Sequence, residues 1–373
     1  MFSVGRSSIW ILALLAGCGG GGGVINPNGS FGSNRAAFGF SQPTSMAFAP
    51  DGRLFVLEQT GALKVVPVGQ TTGTTALQLN VYPNGECGLL GIAFDPGFGS
   101  NRTLYLYYTA HNGSYIPSVG VTNRVSRFVM NGNVVDHTSE QVILGGILAT
   151  GGNHNGGCIR FGPDGKLYIA AGDAGDSSNS QSLTKINGKI LRINADGSIP
   201  ADNPFVGTPG ARPEIFCFGL RNPFKFTFRP GTSAMFIGDV GGSSWEEINL
   251  GVRGGNYGWP LYEGYSNVAG FISPVYAYET GPVNGTVISG VFLSGTTFPD
   301  QYRGDLFYGD FVRGEAHRLD VSASNTVLGS TRFGPSEGLG NIADSVVDIT
   351  QGPDGALYFL SYSRGDVTRV NFE

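Results

Sequence analysis

One histidine of this sequence lies in a setting suited to proton transfer. His154 is one of four histidines among 373 residues and lies in Asn153-His-Asn-Gly-Gly157, just before a predicted strand. An imidazole titrates near neutral pH, so it can take a proton from a reacting hydroxyl. Asp173 ends the same predicted hairpin, where its carboxylate could reach the ring and fix its tautomer. The alternatives are a histidine that only caps the strand and an aspartate that only caps its turn.

An arginine and an asparagine form a second candidate group. Arg221 and Asn222 lie in Leu220-Arg-Asn-Pro223, where the proline ends the turn and leaves both side chains at the mouth of a strand. The planar guanidinium is suited to bind carboxylate or other anionic oxygens and to stabilise negative charge that develops there. An ion pair between neighbouring sheets is the structural alternative.

A recurring turn indicates the elements that must position these residues. Each copy is built on Pro-Asp-Gly or Pro-Gly, or, at Tyr302, on a degenerate version of the turn, and is followed by an alternating strand. Six copies begin at Phe48, Phe94, Phe161, Phe228, Tyr302 and Gly352. Proline presets one turn dihedral, aspartate bonds the local backbone and glycine takes the left-handed position, so the flanking strands pair as a hairpin.

The composition and the repeat together predict the fold. With 61 glycines and 20 prolines the chain is rich in turns, yet 40% hydrophobic and 12% aromatic residues are enough to build a large core. Six repeats predict an all-β protein, a six-bladed β-propeller of four-stranded antiparallel sheets, with long functional connections on one face. Two stacked sandwiches would show no recurring turn. A net charge of −5 without a basic stripe argues against nucleic acid as a partner.

The N-terminal segment predicts export. Residues 1–18 combine Arg6 with an apolar run over 9–16 that is too short to span a bilayer. The run ends in Leu15-Ala-Gly-Cys18, which resembles the lipobox of bacterial lipoproteins and implies lipidation of Cys18. The alternative is an ordinary cleaved signal with a chance cysteine.

The same segment sets the expected domain boundaries and location. A glycine-rich tether is expected over residues 19–36 and the propeller over 37–373. The lack of aspartate after Cys18 implies, by resemblance to lipoprotein sorting, a lipid anchor in the outer membrane facing the periplasm. No other segment is apolar enough to cross a membrane, so contact with the membrane is expected only through this anchor.

The remaining cysteines are expected to include one disulfide bond. Cys87, Cys158 and Cys217 remain after Cys18, and an odd number leaves at least one thiol free or in an intermolecular bond. The sequence does not say which pair would form the bridge. No Cys-x-x-Cys or Cys/His spacing indicates zinc.

An ordered series of motifs runs through about residues 38–370. Its motifs are Gly85-Glu-Cys-Gly-Leu-Leu-Gly-Ile-Ala-Phe-Asp-Pro96, the stretch from Asn153 to Asp173, Asn187-Gly-Lys-Ile-Leu-Arg-Ile193, Gly219-Leu-Arg-Asn-Pro-Phe224, Gly238-Asp-Val-Gly-Gly-Ser-Ser-Trp-Glu-Glu-Ile-Asn249 and Gly254-Gly-Asn-Tyr-Gly-Trp-Pro260. Together they resemble the glucose/sorbosone dehydrogenase family, whose soluble members use pyrroloquinoline quinone (PQQ).

The resemblance implies roles for the polar residues in these motifs. It implies that His154, held by Asp173, is the general base, and that Arg221 stabilises the reduced quinone. Asn222 is expected to contact the cofactor as well. Glu86 occupies the position where quinone-binding relatives carry a polar contact to substrate or cofactor, sometimes glutamine.

The resemblance also implies calcium. The backbone carbonyls of Gly241 and Gly242 match the family loop that holds a calcium ion against PQQ, and hard cations prefer such oxygen ligands. Glu247, with the carbonyl of Tyr257, matches a second calcium site. The alternative is that Trp245-Glu-Glu-Ile248 is simply a strand with one solvent face.

The sequence departs from the family at the cationic residues that are expected to bind the PQQ carboxylates. Relatives carry one lysine and two arginines there, whereas this chain has Val312, Ser345 and Val347. PQQ has three carboxylates, and buried carboxylates need paired cations. Arg313 is one residue out of phase and is expected to point to the other face. Tyr278 could stack on a flat ring or could merely pack in a strand.

The sequence therefore predicts a calcium- and PQQ-dependent oxidoreductase that acts on aldoses or related sugar alcohols and passes electrons to an external acceptor. One alternative is a propeller lipoprotein that has lost the cofactor and binds glycan or protein. The other is a calcium-dependent hydrolase of the lactonase kind, in which the metal polarises an ester carbonyl.

Overall fold

The computed structural model describes residues 29–110, 121–282 and 284–373. The predicted signal segment with Cys18 and the glycine run after it lie outside these residues. Within the described residues no helix is long and apolar enough to cross a membrane.

The chain forms six four-stranded antiparallel sheets, which are the blades of a propeller. Blade 1 contains β2 (Pro43–Phe48), β3 (Leu54–Glu58), β4 (Ala62–Val66) and β5 (Thr74–Gln78). Blade 2 contains β6 (Leu89–Phe94), β7 (Thr103–Thr109), β8 (Thr122–Asn131) and β9 (Val134–Leu148). Blade 3 contains β10 (Ile159–Phe161), β11 (Leu167–Ala171), β12 (Lys189–Ile193) and β13 (Ile215–Phe218).

The second half of the chain continues the same order. Blade 4 contains β14 (Pro223–Phe228), β15 (Met235–Asp239), β16 (Trp245–Leu250) and β17 (Tyr276–Glu279). Blade 5 contains β18 (Val287–Phe292), β19 (Leu306–Asp310), β20 (Glu315–Val321) and β21 (Val327–Phe333). Blade 6 contains β22 (Val346–Gln351), β23 (Leu357–Ser361), β24 (Asp366–Phe372) and, from the other end of the chain, β1 (Phe31–Phe38).

Helical structure in the described residues is confined to single turns. Two short helices are α1 (Phe98–Asn101) and α2 (Ser178–Gln181), and 3-10 turns lie at Thr150–Gly152, Asp300–Tyr302 and Pro335–Glu337. The six-bladed all-β prediction is confirmed.

The ring of blades is closed by pairing the two ends of the chain. Strand β1 runs antiparallel to β24, with Phe31 opposite Phe372 and Phe38 opposite Asp366. The predicted boundary of the propeller at residue 37 is therefore wrong, because the last part of the expected tether, from Phe31 onward, is a blade strand. Phe31-Gly-Ser-Asn-Arg does not alternate in polarity, and its pairing partner lies at the far end of the sequence.

The six recurring turns occupy one equivalent position. Each connects the first strand of its blade to the second, as between β2 and β3 or between β22 and β23. Because neighbouring strands are antiparallel, these turns lie at one end of the propeller. The connections between blades, and the turns from second to third strands, lie at the other end.

The cores form where neighbouring blades pack face to face. Tyr105 of blade 2 stacks edge-on against Phe161 of blade 3, with ring centroids 5.2 Å apart. The expected disulfide bond is absent from the described residues, since Cys87, Cys158 and Cys217 are all free and buried. Each thiol is packed inside the fold as a small apolar side chain.

Candidate active site

A cavity of about 640 Å³ opens at the end of the propeller opposite the recurring turns. Its size falls in the usual range for small-molecule sites. Residues from all six blades or their connections line it, including Thr44, Glu86, His154, Arg221, Asn222, Gly241, Gly242, Glu246, Val312, Val347 and Tyr362.

His154 and Asp173 form a hydrogen-bonded pair at this cavity. Nδ1 of His154 lies 2.6 Å from Oδ1 of Asp173, whose side chain is 1% exposed, whereas that of His154 is 18% exposed. A carboxylate only accepts hydrogen bonds, so Nδ1 carries the ring proton and Nε2 is left as the basic atom. The histidine lies in the connection from blade 2 to blade 3, and the aspartate lies in a turn of blade 3.

The aspartate of this pair is itself held in place. Its Oδ2 accepts a hydrogen bond from Nε1 of Trp259 at 3.0 Å, and its Oδ1 accepts one from the backbone of Gly175 at 2.9 Å. At Gly172 a Cβ would lie 2.0 Å from the carbonyl oxygen of His154, so only glycine fits between the two turns. The geometry fixes the orientation of the imidazole.

Arg221 and Asn222 lie beside the histidine in the connection from blade 3 to blade 4. Both backbone N–H groups donate to the buried carboxylate of Asp239, at 3.0 and 2.7 Å. The Arg221 guanidinium donates to the carbonyl of Val240 at 3.1 Å and lies over the ring of Trp259. Burial, together with the charge of Glu247, raises the pKa of Asp239 well above its ordinary range.

Glu86 connects the two functional segments. Its Oε2 accepts hydrogen bonds from the backbone of Asn155 and from Nδ2 of Asn222, both at 3.3 Å. Gln59 in turn donates to the carbonyls of Gly85 and Cys87, which fixes the loop that carries Glu86. The structure thus brings Glu86, His154, Arg221 and Asn222 to one wall of the cavity.

The predicted calcium loop lies at the edge of the same cavity. The backbone N–H groups of residues 242–245 all point at Oε1 of Glu263, at distances from 2.6 to 3.3 Å. In a trans peptide the carbonyl points opposite to the N–H of the same unit, so the carbonyls of Gly241 and Gly242 point away from Glu263. No hydrogen bond of the described residues ends on either carbonyl oxygen.

Neighbouring glutamates of β16 point to opposite faces of the sheet. Glu246 lines the cavity, where Oε2 accepts hydrogen bonds from Gly241 and Val287 and Oε1 is buried without a partner. Burial raises the pKa of Glu246 to about 7. Glu247 faces away, and its carboxylate accepts hydrogen bonds from Gly264 at 2.5 Å and Asn249 at 3.0 Å.

The other predicted site residues lie outside the cavity. Burial also raises the pKa of Glu247 to about 7, and the Tyr257 hydroxyl donates to the carbonyl of Leu250 at 2.6 Å. The Tyr278 hydroxyl donates to Asp310 at 2.8 Å while the Arg313 guanidinium covers its ring. The structure therefore gives Tyr278 a packing role, because the aromatic face that could stack on a flat ligand is already covered.

Of the three positions that depart from the family, two face the cavity and one does not. Val312 and Val347 line the cavity. Arg313 does not, because its guanidinium donates to the carbonyls of Glu279, Thr280 and Asn284 on the blade 4 side. The Ser345 hydroxyl lies beside Asp344. The expected phase of Arg313 is confirmed.

Sequence reasoning missed four residues that shape the site: Gln59, Glu246, Lys225 and Glu263. Glu246 is the neighbour of Glu247, which the sequence analysis assigned to a calcium site. Because side chains alternate along a strand, only one of the two glutamates can face the cavity. Glu263 lies in a loop between strands, and its four backbone partners are visible only in three dimensions.

The residues present fit a calcium ion better than they fit the carboxylates of PQQ. The free carbonyls of Gly241 and Gly242 and the unpartnered oxygen of Glu246 are the hard oxygen donors that calcium prefers. Groups of three or more histidine, cysteine or carboxylate side chains able to hold a metal are absent from the described residues, so backbone oxygens would supply much of the ligation. Arg221 suits a quinone oxygen, but valines lie where the carboxylates would need cations.

Comparison with known proteins identifies the family of this chain. The sequence profile of the glucose/sorbosone dehydrogenase family matches residues 40–369. The chain belongs to this family. It is 30% identical over 352 residues to the aldose sugar dehydrogenase YliI of Escherichia coli, which covers 88% of this chain and 90% of that protein.

Solved structures of the family share the fold. The PQQ-bound aldose sugar dehydrogenase of Streptomyces coelicolor superposes with a TM-score of 0.76 at 25% identity, over 94% of this chain and all of that one. The apo form of the soluble aldose sugar dehydrogenase of Escherichia coli gives a TM-score of 0.78 at 25% identity, over 92% and 99% of the two chains. The family relationship supports an aldose sugar dehydrogenase-like oxidoreductase.

Proposed function

We propose that this protein oxidises aldoses or related sugar alcohols at C1 and transfers the hydride to a two-electron acceptor of the quinone class. The observation that carries the proposal is the His154–Asp173 pair, with Nε2 of the imidazole left as a base at the cavity. The family and its aldose dehydrogenase members support the substrate class.

The residues of this chain perform the proton chemistry. His154 takes the proton of the C1 hydroxyl at Nε2 while the C1–H bond breaks and its electron pair leaves as hydride. The aldose thereby becomes a lactone, and the acceptor gains two electrons. Asp173 stabilises the imidazolium through Nδ1, since the carboxylate is buried and fixed by Trp259 and Gly175.

Arg221 and the calcium loop would hold the acceptor. A bound quinone would supply an electrophilic carbon that takes up hydride, with calcium polarising its oxygen. The Arg221 guanidinium would lie beside the oxygen that becomes negative, and the carbonyls of Gly241 and Gly242 would ligate calcium. Asp239 keeps Arg221 and Asn222 in position through their backbone N–H groups.

The location of the protein forms part of the same proposal. The lipobox-like Leu15-Ala-Gly-Cys18 supports export and lipid attachment, which would place sugar oxidation at the cell envelope beside an external electron acceptor. Palmitate labelling of the wild-type protein, and its loss in Cys18→Ser, would test the anchor. Labelling that persists in Cys18→Ser would contradict it.

The function is tested with full-length protein in mild detergent, supplied with calcium, either PQQ or its uncharged trimethyl ester, and an artificial dye acceptor. We expect one or more members of an aldose panel to reduce the dye and yield one lactone per two electrons. His154→Ala should lower turnover about 10²- to 10⁴-fold, whereas His137→Ala, a change at an exposed histidine, should leave it unchanged. Lactone formation that persists in His154→Ala would refute the assigned base.

A further inference from the structure

We infer that the cavity selects a quinone that carries less negative charge than the tricarboxylate PQQ. This inference rests on the proposed function for its quinone class and concerns which quinone is accepted. It follows from the charges that surround the cavity.

The charged side chains that line the cavity nearly cancel. Arg221 and Lys225 contribute positive charge, and Glu86 and Glu246 contribute carboxylates. A ligand with three carboxylates would therefore meet only two basic side chains, fewer than its own negative charges.

One of the two cations is already neutralised. Nζ of Lys225 lies 3.0 Å from Oδ2 of Asp348 and 2.9 Å from Oγ of Ser45. Both charged side chains are buried, at 3% and 1% exposure, so water does not screen their attraction. Lys225 thus offers little net charge to a ligand. Arg221 is left as the principal cationic side chain of the lining, apart from the calcium ion that the loop of Gly241 and Gly242 would hold.

Among the described residues, the wall that blades 5 and 6 contribute contains no charged side chain to supplement Arg221. Ile288, Phe311, Val312, Val347 and Tyr362 form this wall, and Arg313 beside it is turned toward the backbone of blade 4. A carboxylate pressed against these side chains would lose water without gaining a cation, which is strongly unfavourable. A neutral or esterified ring would instead gain from the apolar contact.

The inference is tested by comparing PQQ with its trimethyl ester, which has the same ring and no carboxylates. Both are titrated into the full-length protein with calcium, and binding is followed by quenching of tryptophan fluorescence. Trp259 suits this readout because its ring packs against Gly242 of the lining. We expect the ester to bind about tenfold more tightly than PQQ.

Added cations should reverse this preference. In Val312→Lys/Val347→Arg we expect PQQ to bind at least about tenfold more tightly than in the wild type, with little change for the ester. As a control, Val68→Lys adds one charge at a valine that is 69% exposed and does not line the cavity. It should change neither the affinity for PQQ nor the affinity for the ester.

Tighter binding of PQQ than of its ester by the wild type would overturn the inference, as would failure of both compounds to bind. Sugar oxidation is measured separately with the ester as acceptor. If the ester binds preferentially and no aldose is oxidised, the charge inference stands and the proposed function fails. If PQQ binds more tightly than the ester and supports oxidation, the proposed function stands and the charge inference fails.

Discussion

The wall of the cavity that blades 2 to 4 form is polar, whereas the wall that blades 5 and 6 form is mainly apolar. The first carries His154, Arg221 and Asn222, each held by hydrogen bonds to the backbone or to a buried carboxylate. The second presents the apolar side chains of Phe311 and Val347, and the ring of Phe311 packs against that of Tyr362. One wall is organised for proton and charge transfer, and the other sets which ligand fits against it.

This contrast predicts different effects of substitution in the two walls. On the polar wall, buried Asp173 and Asp239 orient the residues that face the cavity, so a small change behind the surface should alter the chemistry. The apolar side chains of Phe311, Val312 and Val347 cannot transfer a proton, so a substitution among them should alter affinity and leave the chemical step intact. Four predictions separate these effects.

The largest effect is expected for Asp173→Asn. The amide can donate to Nδ1 and favour the wrong tautomer of His154, so kcat should fall about 10³-fold with little change in KM. Steady-state kinetics over a pH series measures it. A merely structural role would lower thermal stability and leave the pH dependence of the surviving activity unchanged, and that outcome would contradict the assignment.

The two walls meet at the buried pair of Lys225 and Asp348. Asp348→Ala leaves an unpaired ammonium in the interior, which should destabilise the fold by about 3–5 kcal/mol, equivalent to more than 100-fold in the folding equilibrium. Chemical denaturation measures the change. The double variant Lys225→Met/Asp348→Leu should recover much of the loss, and equal destabilisation of both variants would show that charge is not the cause.

A smaller effect is expected for Glu263→Ala, which removes the acceptor shared by the four N–H groups of residues 242–245. The carbonyls of the loop should lose their fixed orientation, and metal affinity should fall about 10- to 100-fold. Terbium luminescence sensitised by Trp245 and Trp259 reports calcium-site binding without any turnover. Glu263→Gln keeps an acceptor and should retain most of the affinity. Unchanged terbium binding in Glu263→Ala would remove this residue from the site.

The smallest effect is expected on the apolar wall. Val347→Ala trims two methyl groups from the lining, so the affinity for an acceptor should fall by a few-fold while kcat at saturation stays constant. Acceptor-dependence curves measure both quantities. A drop in kcat comparable to that of Asp173→Asn would erase the distinction between the two walls.

The sequence allowed the fold and the centre of the site to be predicted because both are local or repeated. The six turns share one chemistry, and His154 and Asp173 flank a single hairpin. Strand β1 was missed because its partner is at the opposite end of the chain. Glu263 was missed because four consecutive N–H groups converge on it only after the loop folds.

Other errors have equally specific causes. A disulfide bond was expected from the count of cysteines, but the three thiols pack as apolar groups in the blades. Glu246 was given no role, because the sequence does not show which of the two adjacent glutamates faces the cavity. The assignment of Glu247 to a second calcium site stays a prediction. The ring of Tyr278 was expected to be able to stack on a flat ligand. In the structure its hydroxyl donates to Asp310 and the guanidinium of Arg313 lies over its ring.

The central claim is that His154 removes a proton from the substrate as hydride leaves C1. The most direct measurement compares an aldose with its C1-deuterated form, using the wild-type protein and Asp173→Asn with the same acceptor. We expect slower lactone formation from the deuterated sugar in both proteins, with a larger isotope effect in Asp173→Asn, where the chemical step limits turnover. Equal rates from both sugars in Asp173→Asn, together with undiminished turnover, would contradict it.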